Sequence, residues 1–189
     1  MIRLFVGLEL PEEIVARLEP MGSGVPGARW VAPENMHLTL RFIGEVNGAT
    51  AEEVAEALST VRAPAFDLTL EGLGTFAQGM IAHTLWVGAR REPELLQLQA
   101  KVERAAVSAG LEPERRRFTP HVTLARLKDA PVDRIGDFIQ RHEPLRLEPA
   151  PIEHFALFSS HLSRNGAIYQ IEERYPLDGA YAALAKEYA

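Results

Sequence analysis

Cysteine is absent from the 189-residue chain. Disulfides, thiol nucleophiles and cysteine-ligated zinc are therefore excluded, and any chemistry must come from His, Ser, Thr, Tyr, carboxylates or a hard metal. Also missing is an apolar run of membrane-spanning length; the apolar start is broken by Glu9 and Glu12 and offers no small-residue cleavage site. The expected setting is the cytoplasm, away from membranes. Excess positive charge is lacking too. Against 26 Asp and Glu stand 20 Lys and Arg, a formal charge of −6, which argues against a protein that coats nucleic acid through a general positive field. Finally, His and carboxylates do not cluster in ligand-like spacings, so neither a metal nor another cofactor is expected. What remains is 47% hydrophobic, enough for one substantial core, and a single monomeric domain over residues 1–189 is expected.

Two short stretches repeat one pattern. Residues 35–43 read NMHLTLRFI and residues 118–126 read FTPHVTLAR. Because side chains alternate along a strand, His37 and Thr39 leave one face while Leu38 and Leu40 leave the other; His121 and Thr123 are related to Val122 and Leu124 in the same way. One such strand is ordinary, since Thr and Leu suit strands and a neighbouring His is often just a satisfied polar residue. The repetition is not ordinary, because the contexts match. LFVG at Leu4 to Gly7 and LWVG at Leu85 to Gly88 precede the two histidines, with 33 positions from Leu4 to His37 and 36 from Leu85 to His121. A helix-like stretch follows each of these four segments. Positive charge gathers at the second copy, with Arg115, Arg116 and Arg117 before it and Arg126 and Lys128 after it.

Taken in order, Arg3 to Leu8 reads as a strand and Pro11 opens a helix carrying Ile14 and Leu18. After the first His-x-Thr strand, Thr50 and Glu53 form a capping box for a helix with Val54, Leu58 and Val61 inward. Phe66 to Glu71 and Thr84 to Ala89 read as strands, with Gly72 and Gly74 as turn residues between them. A long helix is predicted from Pro93 to Ala109, ended by Gly110. A short helix over Pro131 to Gln140 turns Val132, Ile135 and Ile139 inward. Strands over Leu145 to Leu147, Glu153 to Ser159 and Ala167 to Glu173 follow, then a helix from Asp178 to Tyr188. This duplicated order implies an α+β fold of two similar lobes, with mainly antiparallel sheet and outer helices. The lobes need not be contiguous in sequence.

Two imidazoles facing one cleft form an acid and base pair at neutral pH without a metal. Thr39 and Thr123 share their faces and can donate to phosphate oxygens. Arg41 has the parity of His37, whereas Arg126 has the opposite parity to His121 and reaches a phosphate only if the strand ends or bulges. His83, His142, His154 and His161 lie in no repeated context and receive no role.

RLFVGLELPEE, RWVAPENMHLTLRFIGEV, LGTF, TLWVG, RRRFTPHVTLARLK, LFSSHL and GAIY together resemble the 2H phosphoesterase superfamily, and within it the bacterial and archaeal RNA 2′,3′-cyclic phosphodiesterases, also called 2′-5′ RNA ligases. The resemblance runs to about Leu177. It implies an active cleft between the sheets of two pseudo-symmetric lobes, and hydrolysis of an RNA terminal 2′,3′-cyclic phosphate to a 2′-phosphomonoester, with reverse 2′-5′ ligation as a side activity. It also implies that His37 is the proton donor and His121 the proton acceptor, that Arg126 is the phosphate ligand while Arg41 rims the cleft, and that Phe76 of LGTF stacks on a base. Two other readings are open on the residues: a phosphodiesterase for a small cyclic nucleotide or ADP-ribose cyclic phosphate, and a module that binds RNA ends without turnover.

Overall fold

The structure is a computed structural model that describes residues 1–79, 81–163 and 166–178. Its strands are β1 (Ile2–Glu9), β2 (Ala28–Trp30), β3 (His37–Val46), β4 (Phe66–Leu68), β5 (Leu70–Gln78), β6 (Ile81–Ala89), β7 (His121–Leu127), β8 (Ala150–Ile152), β9 (His154–Ser163) and β10 (Gly166–Pro176). The helices are α1 (Glu12–Leu18), α2 (Gly48–Ser59), α3 (Pro93–Ser108) and α4 (Val132–His142). One antiparallel sheet runs β10-β9-β1-β3-β7-β6-β5, with β2 also on β7. Its two halves meet at a single pairing, Leu38 opposite Val122. The two His-x-Thr strands are therefore neighbours, and the pseudo-twofold relation runs between them.

The halves exchange their last strands. The first half of the chain gives β1, α1, β3 and α2, yet its last strand β5 pairs with β6; the second gives β6, α3, β7 and α4, yet its last two strands join the other half, β9 pairing with β1 and β10 with β9. Where the two connections cross, β4 pairs with β8. All four helices cover one face of the sheet. Ile14, Leu18, Val54, Leu58, Leu95, Leu98, Val102, Ile135 and Phe138 join Leu38, Leu40, Val122 and Leu124 in one core. Truncating any of the Leu, Ile or Phe side chains among these to Ala would cost about 2–5 kcal/mol, enough to consume much of a domain's stability. The other face of the sheet is left for the site.

Several local expectations change. The cap of α2 is Asn47, whose Oδ1 accepts from the Thr50 N–H at 2.9 Å. The helix starts before Thr50, so Thr50 and Glu53 are not its capping box, and Val61 packs just beyond its end. Gly72 and Gly74 lie within β5 instead of a turn: Gly72, at φ 71°, sits in a register shift, and a Cβ on Gly74 would lie 2.3 Å from the Trp86 ring. In α4 the inward residues are Ile135 and Phe138, with Ile139 partly buried, while Val132 is 66% exposed because it begins the helix at its open end. No strand forms over Leu145 to Leu147; Arg146 makes an isolated bridge with Glu71 and the strand is Ala150–Ile152. Pro149 lacks the N–H that a longer ladder would need. The helix expected over Asp178 to Tyr188 lies, past Asp178, outside the described residues.

Candidate active site

Each histidine is fixed by the carbonyl two residues before it. His37 Nδ1–H donates to Asn35 O at 2.7 Å, and His121 Nδ1–H donates to Thr119 O at 2.7 Å. A carbonyl only accepts, so Nδ1 carries the proton in both rings and each Nε2 is left for the cleft. Asn35 is itself tied down by its side chain, which donates to Ala167 O of β10 at 3.2 Å. Neither Asn35 nor Thr119 was singled out from the sequence; the signal available was that NMH and TPH place them at the same offset from His. The repeated glycines serve the same geometry. A Cβ at Gly7 would lie 2.8 Å from Leu38 O, and one at Gly88 would lie 2.8 Å from Glu71 O, so each glycine allows the close strand approach beside a site strand.

Aromatic rings hold the imidazoles. Tyr169 meets His37 edge-on, with centroids 5.0 Å apart, and Phe5 lies 4.7 Å away. Phe76 meets His121 edge-on at 4.7 Å, with Trp86 at 6.1 Å. Phe76 is thus at the site, and its 37% exposure leaves part of the ring open to the cleft. Burial among these rings disfavours the imidazolium. His37 is pushed down to about 4 by burial, against the raising effect of the Asn35 carbonyl, and the charges of Arg126 and His121 lower it further. His121 is lowered for the same reasons, burial first and then Arg126, opposed by the Thr119 carbonyl.

Arg126 reaches this face through a bulge. Trp86 pairs with Thr123 and Leu85 with Ala125, which leaves Leu124 as the extra residue; Leu124 and Ala125 both turn into the core and Arg126 rejoins the side of His121. Its Nη1 donates to Thr84 Oγ1 at 3.1 Å. Thr84, buried at 4% exposure, is a further candidate site residue that no sequence pattern marks; the structure places it opposite Arg126 in the ladder. The Thr39 and Thr123 hydroxyls are half-buried and make no hydrogen bond among the described residues, so both are available to a ligand.

Arg41 departs from its expected place at the cleft rim. Gly7 pairs with Thr39 and Val6 with Arg41, so Leu40 is the extra residue of a matching bulge and Arg41 turns to the helix side. There its Nε lies 2.6 Å from Glu103 Oε2 and its Nη1 lies 3.7 Å from Glu114 Oε2. Phe42, 52% exposed, takes the cleft side instead.

Beside His37 is a cavity of about 360 Å³ bordered by Glu12, Glu34, Asn35, Phe158 and Tyr169. Glu9 also borders it, but its carboxylate is taken up by Arg174, at 2.6 and 2.8 Å, and by His154 Nε2 at 2.6 Å. His154 is thereby structural, as is His142, whose Nδ1 bonds Phe138 O. Among the described residues no group of three or more His, Asp or Glu is placed to hold a metal ion.

Two carbonyl-tethered imidazoles with hydroxyl and guanidinium donors on one sheet face are the equipment of a two-histidine phosphoesterase. The chain belongs to the LigT-like phosphoesterase family: the model described as "LigT like Phosphoesterase" matches residues 8–86 and again 87–169, one match for each half of the duplication. An Aeropyrum pernix protein named RNA 2′,3′-cyclic phosphodiesterase is 37% identical over 150 residues, 78% of this chain and 85% of the relative. A Thermotoga maritima protein of the same name is 32% identical over 190 residues, 97% of this chain and 100% of the relative. Among solved structures, apo Escherichia coli LigT superposes with a TM-score of 0.76 at 28% identity, covering 93% of this chain and 97% of that one. The α+β architecture of two related parts is that of this family.

Proposed function

We propose that this chain is a cyclic phosphodiesterase that hydrolyses the 2′,3′-cyclic phosphate at an RNA end to a 2′-phosphomonoester, without a metal or cofactor, as one bilobal domain. The observation that carries the reading is the pair of histidines on adjoining strands, each with Nδ1 committed to a carbonyl and Nε2 free. In-line displacement needs a base on one side of phosphorus and an acid on the other, and this pair supplies both. His121 Nε2 takes a proton from water as its oxygen bonds phosphorus; the P–O3′ bond breaks and His37 Nε2–H protonates the departing 3′-oxygen. Thr39, Thr123 and Arg126 donate to the non-bridging oxygens, whose charge grows in the transition state. Phe76 supports His121 with its edge and offers its exposed part to a base.

His37 is neutral near pH 7 in the free protein, so the acid is made when substrate arrives: a phosphate anion between the rings favours the imidazolium and raises His37. With a 5′-hydroxyl in place of water, the same proton transfers bond the 5′-oxygen to phosphorus, break P–O3′ and leave the phosphate on the 2′-oxygen, which is the route to a 2′-5′ linkage. The names of the relatives support RNA ends as substrate. A second reading is favoured by the cavity beside His37, which is large enough for one nucleoside: a phosphodiesterase for small cyclic nucleotides.

The test is an oligonucleotide ending in a 2′,3′-cyclic phosphate, incubated with the protein in excess chelator, with the product isomer identified. A 2′-phosphate is expected. A 3′-phosphate, or activity abolished by chelation, overturns the mechanism, and equal kcat/KM on a nucleoside 2′,3′-cyclic phosphate supports the small-substrate reading.

A further inference from the structure

The two site strands pair only at Leu38 and Val122, and residues 111–120 lead into β7 and His121. This segment is pinned at both ends. Arg41 holds its start, through Glu114 and through a hydrogen bond from Nη2 to Glu112 O, while Nη1 donates to Phe42 O at 2.9 Å. Arg91 Nη1 donates to Phe118 O at 3.0 Å at its end. Arg115, Arg116 and Arg117 lie between these anchors, on the stretch that runs from Glu112 and Glu114 beside Arg41, the neighbour of Phe42, to Thr119 and His121, and all three are exposed. Arg116 is engaged by Glu114 at 2.8 Å, whereas Arg115 and Arg117 form no ion pair among the described residues. The opposite end of the cleft has the other sign, since Glu12 and Glu34 border the cavity beyond His37 and are in no ion pair among the described residues.

We propose that the nucleotides 5′ of the cyclic phosphate leave the cleft across Phe42 and along residues 115–117, with a base stacked on Phe42 and upstream phosphates against Arg115 and Arg117. A phosphodiester chain is repelled by the carboxylate end and drawn to the guanidinium end, so charge alone gives the strand one direction. An exposed aromatic ring next to free guanidinium groups is the pairing that holds single strands without reading sequence. Arg41 acts here as a positioning residue: buried behind β3, it fixes the basic segment from below. The inference takes its strand from the proposed RNA hydrolysis, but it concerns a different surface.

The experiment has two arms. In the first, kcat/KM is compared for a nucleoside 2′,3′-cyclic phosphate and for an octanucleotide with the same end. Phe42→Ala and the double variant Arg115→Ala/Arg117→Ala should each cut the octanucleotide's advantage at least fivefold, a loss in the range of one base stack. Alanine at Phe42 opens no core because the ring is 52% exposed. In the second arm, anisotropy of a labelled octanucleotide ending in a 2′-phosphate reports binding with no turnover. The double arginine variant should lower the slope of log K against log salt by about 1.4, two single-strand phosphates at about 0.7 each. An unchanged slope, or equal proportional losses on both substrates, overturns the proposal. A lowered slope in a protein that hydrolyses neither substrate keeps this path and removes the hydrolase reading instead.

Discussion

Phe42 stands on the first half-sheet where Arg126 stands on the second. Each is the fifth residue after its histidine, and each is brought to the histidine's face by a bulge at the preceding leucine, Leu40 or Leu124. At these matched positions the two halves carry two histidines and two threonines but one guanidinium, so the proposed phosphate clamp is lopsided. Arg126→Ala should lower kcat/KM roughly 10²-fold, the scale of a lost transition-state donor. Thr39→Val and Thr123→Val should each cost about 10- to 100-fold, since a hydrogen bond to a charged group is worth roughly 1.5–3 kcal/mol. Steady-state kinetics on an oligonucleotide cyclic phosphate checks all three; wild-type rates in the two valine variants would leave these threonines as strand formers.

His37→Ala and His121→Ala should each remove nearly all turnover, because the proposed mechanism gives each ring a proton transfer worth roughly 10²- to 10⁴-fold. The thermal transition should persist, as neither ring belongs to the helix-side core. A variant that keeps substantial turnover takes its histidine out of the chemistry.

Arg41→Met should destabilise by roughly 3–5 kcal/mol, because it leaves the Glu103 carboxylate, 2.6 Å from Arg41 Nε, without its counter-charge. Denaturant midpoints give the number. Arg41→Met with Glu103→Leu should recover part of that loss, since neither member of the ion pair is then left without its counter-charge. If the single variant is as stable as wild type, Arg41 holds nothing in place.

The four central site residues were legible because the strand period and the repeat act locally and the sequence states both. The fates of Arg41 and Arg126 were not, since one inserted residue reverses the parity of everything beyond it, and nothing in LTLRF or VTLAR marks the bulge. For Arg126 the need for a bulge could at least be stated; for Arg41 simple alternation pointed to the wrong face. Thr84, Asn35 and Thr119 join the site through contacts between distant strands or through main-chain oxygens, which no side-chain pattern displays. The exchange of β5 and β9 was equally hidden, because matched half-sequences look the same whichever lobe receives their last strands.

The depressed His37 makes acid conditions unfavourable to the fold. Its folded value, about 4, lies below its unfolded value near 6.5, so the native state binds fewer protons and stability is lost as pH falls between these values. His37→Gln should flatten the fall in melting temperature over that window. The same shift places the bell of kcat/KM, which reports the free enzyme, below pH 6.5, while the kcat profile should lie at higher pH because bound phosphate raises the ring. Coincident profiles would mean that substrate does not recharge His37.

The assignment of acid and base turns on which ring faces the departing 3′-oxygen, and a pseudo-symmetric cleft lets chemistry alone run either way. A substrate whose 3′-side leaving group is activated no longer needs a proton as it departs, so only the base is required. On such a phosphodiester His37→Ala should regain much of its lost rate while His121→Ala stays inactive. Both variants keep Arg126 and the threonines, so the comparison isolates proton transfer from phosphate binding. Recovery by His121→Ala instead would reverse the two roles and place the water on the His37 side.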